Sequence, residues 1–185
     1  NLTSGSNNVT LGALSGGDIT SGSSNIMIGY DAEPVDGTAD NQLNIGNLIY
    51  GDLANEDFIV GSWQLDDTGN GTEDNRMYFD KSKGAFRAGS TNNDDWDVVN
   101  TGDYSAAFGY NATSSGNSSF AAGQAVNATS GQSVAFGYQT TASGQRSFAM
   151  GENVTVSGSR SVGFGLSNAS GVNPTVSAGG SFAIF

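Results

Sequence analysis

The chain has 185 residues, 18 acids against six bases for a net charge of −12, and neither Cys nor His. These absences remove disulfides, thiolate and imidazole metal sites and the usual Ser–His and Cys–His nucleophilic pairs. The lack of a Lys/Arg cluster excludes a nucleic-acid surface and disfavours an anionic membrane. Leu, Ile, Val and Phe supply only 37 residues, 20% of the chain, near the level at which charged chains stay disordered. Against disorder stand 28 glycines, only two prolines and 10% aromatics at regular intervals. Such a composition suits a fold whose backbone packs closely on itself. No run of about 18 apolar residues could span a membrane, and nothing resembles a signal peptide, so the chain reads as an internal piece of something longer.

Over residues 1–51 three segments align: NVTLG (8–12), NIMIG (25–29) and QLNIG (42–46). Their glycines at 12, 29 and 46 are 17 residues apart. FIVG (58–61) reads as a fourth copy. The stretches 13–24 and 30–41 become longer loops, where added length costs little. All five charges of this region are acidic.

Residues 52–101 differ. A strand is expected over 56–65, then the acidic loop DDTGNGTEDN (66–75). RMYFD (76–80) and AFRAGS (85–90) flank the turn KSKG (81–84) as a hairpin. NNDDWD (92–97) leads onward. This region is read as an inserted hairpin-containing module.

Residues 102–185 carry the strongest signal. GDYSAAFG, GNSSFAAG, GQSVAFG, GQRSFAMG and GSRSVGFG end at Gly109, Gly123, Gly137, Gly151 and Gly165, each interval being 14 residues. One column is always Ser (105, 119, 133, 147, 161). The next is Ala106, Phe120, Val134, Phe148 and Val162. The third is Ala or Gly, and the fourth is Phe108, Ala122, Phe136, Met150 and Phe164. Alternation with period two marks a strand with two faces. The bulky face is expected to fill the core of the roll or of an assembly of neighbouring chains: Phe108, Phe120, Val134, Phe136, Phe148, Met150, Val162 and Phe164. The Ser/Ala/Gly face would let a neighbouring backbone lie close. Fourteen residues are too few for a helix pair or a propeller blade but suit two short strands and two turns, one coil of a β-solenoid. Five coils would span about 24 Å at about 4.8 Å each. The glycines at 109, 123, 137, 151 and 165 read as turn glycines, and those at 102, 116, 131, 144 and 158 as suppliers of positive φ at corners.

Candidate chemistry is thin. Lys81–Ser82–Lys83 is a solvated turn before it is a Ser–Lys pair. The acid pairs Asp66–Asp67, Glu73–Asp74 and Asp94–Asp95 read as exposed loops before a glycosidase pair. Loop 66–75 offers oxygen ligands for calcium but fails EF-hand spacing; no metal and no cofactor is expected. Trp63 and Trp96 stand beside acids, as in a sugar platform, although plugging the module onto the roll is the favoured role. With Asp95, Tyr110 and Tyr138 they form the candidate ligand set. The Asn-x-Ser/Thr triplets at Asn8, Asn111, Asn127 and Asn153 read as polar corners.

The unit Ser–hydrophobe–Ala–hydrophobe–Gly, as in SVAFG (133–137) and SFAMG (147–151), resembles the head repeat of YadA-like trimeric autotransporter adhesins. Similar repeats occur in trimeric phage tail fibres, and NQLNIGNLIYG (41–51) and RMYFDKSKGAFRAG (76–89) resemble stretches of that second group. The resemblance implies a left-handed parallel β-roll, three chains side by side, and a role in attachment. The histidine of some adhesin head repeats is missing, so matrix binding is not carried over.

The expectation is an all-β parallel β-roll, or β-solenoid, of 14-residue coils, assembled as a side-by-side homotrimer. Its parts are a head-type roll over 1–51, an inserted module over 52–101 and a regular roll over 102–185. The expected function is that of a non-enzymatic extracellular fibre segment of a virion tail or similar appendage, a rigid scaffold whose receptor is a cell-surface glycan or protein. The alternatives are the head of a bacterial autotransporter adhesin and a purely structural filament spacer.

Overall fold

A computed structural model describes residues 4–61, 74–165 and 174–185, with the side chains of 74 and 75 excepted. Every regular element in it is a strand or a single turn of 3-10 helix, and no helix among the described residues is long and apolar enough to cross a membrane. The chain divides into two compact units, Asn1–Leu65 with Arg76–Ser82, and Asp66–Asn75 with Lys83–Phe185.

In the first unit β1 (Val9–Leu11), β2 (Ile26–Ile28) and β3 (Gln42–Ile45) pair in parallel, with Val9, Ile26 and Leu43 in one column and Leu11, Ile28 and Ile45 in another. The 17-residue spacing is therefore a coil spacing. The residues before β1 and β2 lock the stack through their side chains. Asn8 Oδ1 accepts the Asn25 N–H at 2.9 Å, and Asn25 Oδ1 accepts the Gln42 N–H at 2.7 Å. Asn25 is wholly buried, so this ladder satisfies amides that burial would otherwise penalise.

Beyond β3 the parallel stack stops. β4 (Ile49–Asp52), β5 (Asp57–Val60) and β6 (Asp74–Asp80) form an antiparallel meander in which Asn44 faces Tyr50, Tyr50 faces Ile59, and Ile59 faces Tyr78. FIVG is thus not a fourth coil. Only three residues separate Ile45 from Ile49, enough for a hairpin but far short of a parallel return.

In the second unit β7 (Ala85–Thr91), β8 (Ala106–Tyr110), β10 (Phe120–Gln124), β12 (Val134–Tyr138), β14 (Phe148–Glu152), β16 (Val162–Gly165) and β18 (Phe182–Ile184) pair in parallel, in register. A second sheet of two-residue strands runs beside it: β9 (Thr113–Ser114), β11 (Asn127–Ala128), β13 (Thr141–Ala142), β15 (Thr155–Val156) and β17 (Thr175–Val176). Each 14-residue coil therefore holds one long strand, one short strand and two corners, a parallel β-solenoid.

The interior of this roll is filled by the small face, so of the two cores expected for the bulky residues the roll's own is excluded. Ala107, Ala121, Ala135 and Ala149 are wholly buried and pack against Ala112, Val126, Ala128, Ala142, Val154 and Val156. The serine column turns inward too. Ser105, Ser119 and Ser133 donate to the carbonyls of Gly102, Gly116 and Ser130 at 2.5, 2.6 and 2.7 Å. The bulky column lies outside: Phe108, Phe136 and Met150 are 37%, 38% and 46% exposed, and Phe120, Val134, Phe148, Val162 and Phe164 are half-buried. With two short sheets enclosing it, a 14-residue coil has room for Ala and Val but not for a ring. Where Val156 is large, its neighbour Gly163 is small; a Cβ on Gly163 would lie 2.7 Å from a Val156 methyl.

The glycines are corrected as well. Gly109, Gly123, Gly137 and Gly151 sit inside the long strands rather than in turns, with φ of 120°, 135°, 121° and 128°. Gly165 ends β16, and the nearest obstacle to a Cβ there is a Val154 methyl at 2.3 Å. Positive φ at the corners is taken by Tyr104, Ser118, Gln132, Arg146 and Arg160, not by the glycines two residues or fewer before them. Gly102, Gly116, Gly144 and Gly158 are needed for close approach, since a Cβ on any of them would stand 2.0–2.2 Å from a carbonyl oxygen of the next coil.

Candidate functional site

Two features of the second unit carry its chemistry, an aromatic outer face and a sealed first coil. On the outer face the large residue alternates between two columns, so each ring fills the gap left by a smaller neighbour. Phe86 meets Phe108 at 5.5 Å between centroids, Phe108 meets Phe120 at 5.6 Å, and Phe120 meets Phe136 at 5.3 Å. The series resumes with Phe148, Phe164 and Phe182 at 5.6 and 6.0 Å. These are favourable ring–ring separations. The outcome is an apolar strip along one sheet face, still partly open to solvent at Phe108, Phe136, Met150, Phe182 and Ile184. Exposed strips of this kind mark interaction surfaces.

The first coil ends the short-strand sheet at β9, an edge whose carbonyls need donors. In later coils the carbonyls of Val126, Thr140 and Val154 accept the backbone N–H groups of Thr113, Asn127 and Thr141. The equivalent carbonyl of Ala112 instead accepts the Trp96 indole N–H at 2.9 Å. Ser114 O accepts Arg87 Nη2 at 2.9 Å as well as the Gly102 N–H at 3.0 Å. Trp96 ends a 3-10 turn, Asp94–Trp96, capped by the Asn93 side chain. Its ring is 1% exposed, so it is a plug and not a ligand platform. Arg87 occupies the alanine column in β7, is wholly buried, and also donates to Ser105 O and Oγ at 3.2 and 2.9 Å.

Of the candidate ligand residues, Trp63 lies outside the described residues, as does the loop 66–75 apart from the backbone of 74 and 75. Asp95 is half-buried beside Trp96 in the 3-10 turn. Tyr110 and Tyr138 close β8 and β12 on the outside, at 36% and 41% exposure, with Gln124 between them in the same column. Tyr110 and Tyr138 stand two coils apart in the long-strand sheet, while Asp95 lies in the 3-10 turn.

Two further coils escaped the sequence reading. AFRAG (85–89) is in register with β8, but Arg87 stands where alanine is usual and Gly89 precedes Gly109 by 20 residues. SFAI (181–184) is in register with β16, again after a step of 20, and Phe185 replaces the terminal glycine. A search for the Ser–hydrophobe–Ala–hydrophobe core at variable spacing would have found the second.

In the first unit Asp57 stands directly across the ladder from Asp52. Burial pushes its carboxyl above the usual range; the Lys81 N–H that it accepts opposes this, and Asp80 and Asp52 add to it. A raised carboxyl favours the folded state when protonated, so its contribution is present at low pH and is lost as pH rises through the folded value. Asp57→Asn is therefore expected to raise the urea midpoint at pH 7, with the gain over the parent shrinking as pH falls and vanishing only below the unfolded carboxyl value, at about pH 3. Paired unfolding curves at the two pH values measure it.

Residues 101–125 and 128–153 match the family model of the YadA head domain repeat, as two copies. The coils from β8 to β14 are thus head repeats of the kind found in trimeric-adhesin-like domains. No curated protein and no solved structure matches the chain.

Proposed function

We propose that the chain is a segment of a homotrimeric extracellular fibre, of a virion tail or a similar appendage, that serves as a rigid scaffold and carries surface attachment rather than catalysis. The observation that carries this reading is the apolar strip from Phe86 to Ile184, which lies outside a roll too thin to take its rings inward. Burial of apolar surface is worth about 25 cal/mol per Å², and an interface between copies is the direct way to recover it. Three copies around one axis would each contribute an equivalent strip. Attachment through three identical sites gains from effective concentration without new contacts. Tyr110 and Tyr138, partly exposed at strand ends, are the receptor contacts of this reading, and their exposure supports it.

Light scattering coupled to size exclusion tests the assembly. The parent is expected at three times the chain mass at micromolar concentration, and Phe136→Glu at one chain mass with its strand content intact. A parent that runs as a folded monomer would sink the proposal.

A further inference from the structure

We infer that the first unit holds a binding site for a neutral saccharide ring, in the hollow lined by Glu33, Pro34, Val35, Asn44, Asn47 and Tyr50. The site arises where the parallel stack ends. In the interior column Met27 is wholly buried, and the next position along is Asn44. No fourth parallel coil covers β3, since the chain reverses into β4 and sets Tyr50 directly opposite Asn44. An aromatic ring and a buried amide thereby share one face of the sheet.

The walls are held before any ligand arrives. Asn44 Nδ2 donates to Glu33 O at 2.9 Å and to Asn47 Oδ1 at 2.7 Å, while its Oδ1 accepts the Asn47 N–H at 2.9 Å. Both oxygens of the Glu33 carboxylate accept backbone N–H groups, from Gly17 and Asp18, at 2.9 and 2.8 Å. The loop beyond is tied by Gln42, which donates to the carbonyls of Asp36 and Ala39 and accepts the Asp36 N–H. A preorganised hollow saves the ordering cost of binding.

Its chemistry selects the ligand. Pyranose rings present apolar C–H faces and a rim of hydroxyls. Tyr50, Pro34 and Val35 offer apolar surface for the first, and the Glu33 carboxylate and the Asn47 amide offer partners for the second. Asn47 Nδ2 spends one proton on Asp31 O at 3.1 Å, leaving a second donor. Partial burial holds the Tyr50 phenol above its ordinary pKa, so it stays a neutral donor. Residues 1–61 carry eight acids and no base, which disfavours an anionic sugar. The volume of 250 Å³ lies just under the range of about 300–1,000 Å³ for drug-sized pockets and suits one ring.

The inference deepens the attachment reading and rests on it for its biological sense, but the two fail separately. Saturation-transfer NMR on the full chain would use glucose, galactose and N-acetylglucosamine at about 10 mM, matching the millimolar affinity of one ring. Sialic acid and choline would serve as charged probes. Transfer to the C–H protons of at least one neutral sugar is expected, with affinity about tenfold weaker in Tyr50→Ala and Asn47→Ala and unchanged in Tyr104→Ala, a change at an exposed residue of the second unit. Asn47→Ala decides the matter if Tyr50→Ala does not fold. No transfer to any neutral sugar, transfer untouched by the variants, or transfer to a charged probe alone overturns the site. A trimer that ignores sugars would leave the assembly reading standing, and a monomer that binds them would leave the site.

Discussion

Gly137→Ala is expected to abolish cooperative folding of the second unit or to lower its stability by about 2–6 kcal/mol, among the larger single-substitution effects. Two costs combine. At φ +121° the backbone lies where an L side chain is strained, worth about 1–3 kcal/mol. The new Cβ would also stand 1.9 Å from Gly151 O and 2.9 Å from its carbon. Neither atom can retreat, because Gly151 is held in the next coil of the same ladder. Overpacking against fixed backbone adds about 1–3 kcal/mol or more. Gly131→Ala is the matched control: its nearest neighbour is 3.9 Å away and its φ is not positive, so it should unfold at nearly the parent's urea concentration. Equal midpoints for the two variants would refute the close-approach argument.

Trp96→Ala is expected to cost about 3–5 kcal/mol for the lost side chain, with a further contribution from the Ala112 carbonyl left without its donor. Trp96→Phe keeps much of the bulk and loses only the donor, so about 1–2 kcal/mol is expected. The damage should be local at first. Repeat stacks lose stability coil by coil, so hydrogen exchange at Thr113 and Gly116 should accelerate well before exchange at Thr141 and Ser143. Uniform acceleration along the stack would count against the sealing role.

What was legible in the sequence was whatever recurs in every coil. A glycine whose Cβ would strike the next coil is demanded once per turn of the roll, so the 14-residue ladder and the fold class could be read directly. The same columns could not say which face turns inward. Period-two alternation defines two faces, and the choice between them depends on how far apart the two sheets lie. That distance follows from the short strands Thr113–Ser114 to Thr175–Val176, two residues each and almost invisible to a hydropathy scan. Strands of the meander were visible as segments, but its antiparallel order depends on the few residues between Ile45 and Ile49. Arg87 hid a coil because a buried guanidinium is an exception to the column; its meaning appears only once β9 is known to lack a strand on that side among the described residues. The hollow at Tyr50 was beyond reach for a similar reason, being made by the place where a repeat ends. Trp96 was singled out for its neighbours in sequence, yet its partner is sixteen residues away.

The uniform register of the second unit also makes its reach a countable quantity. Each long strand bonds to the one before and the one after through equivalent positions, so a coil is an interchangeable increment of about 4.8 Å. A duplication of fourteen residues would lengthen this unit by one increment and extend the lateral strip by the same amount. Changes of other lengths have to be taken up between strands, as with the six additional residues that separate β16 from β17. Genetic drift in such a chain would therefore alter how far it extends far more readily than what it is.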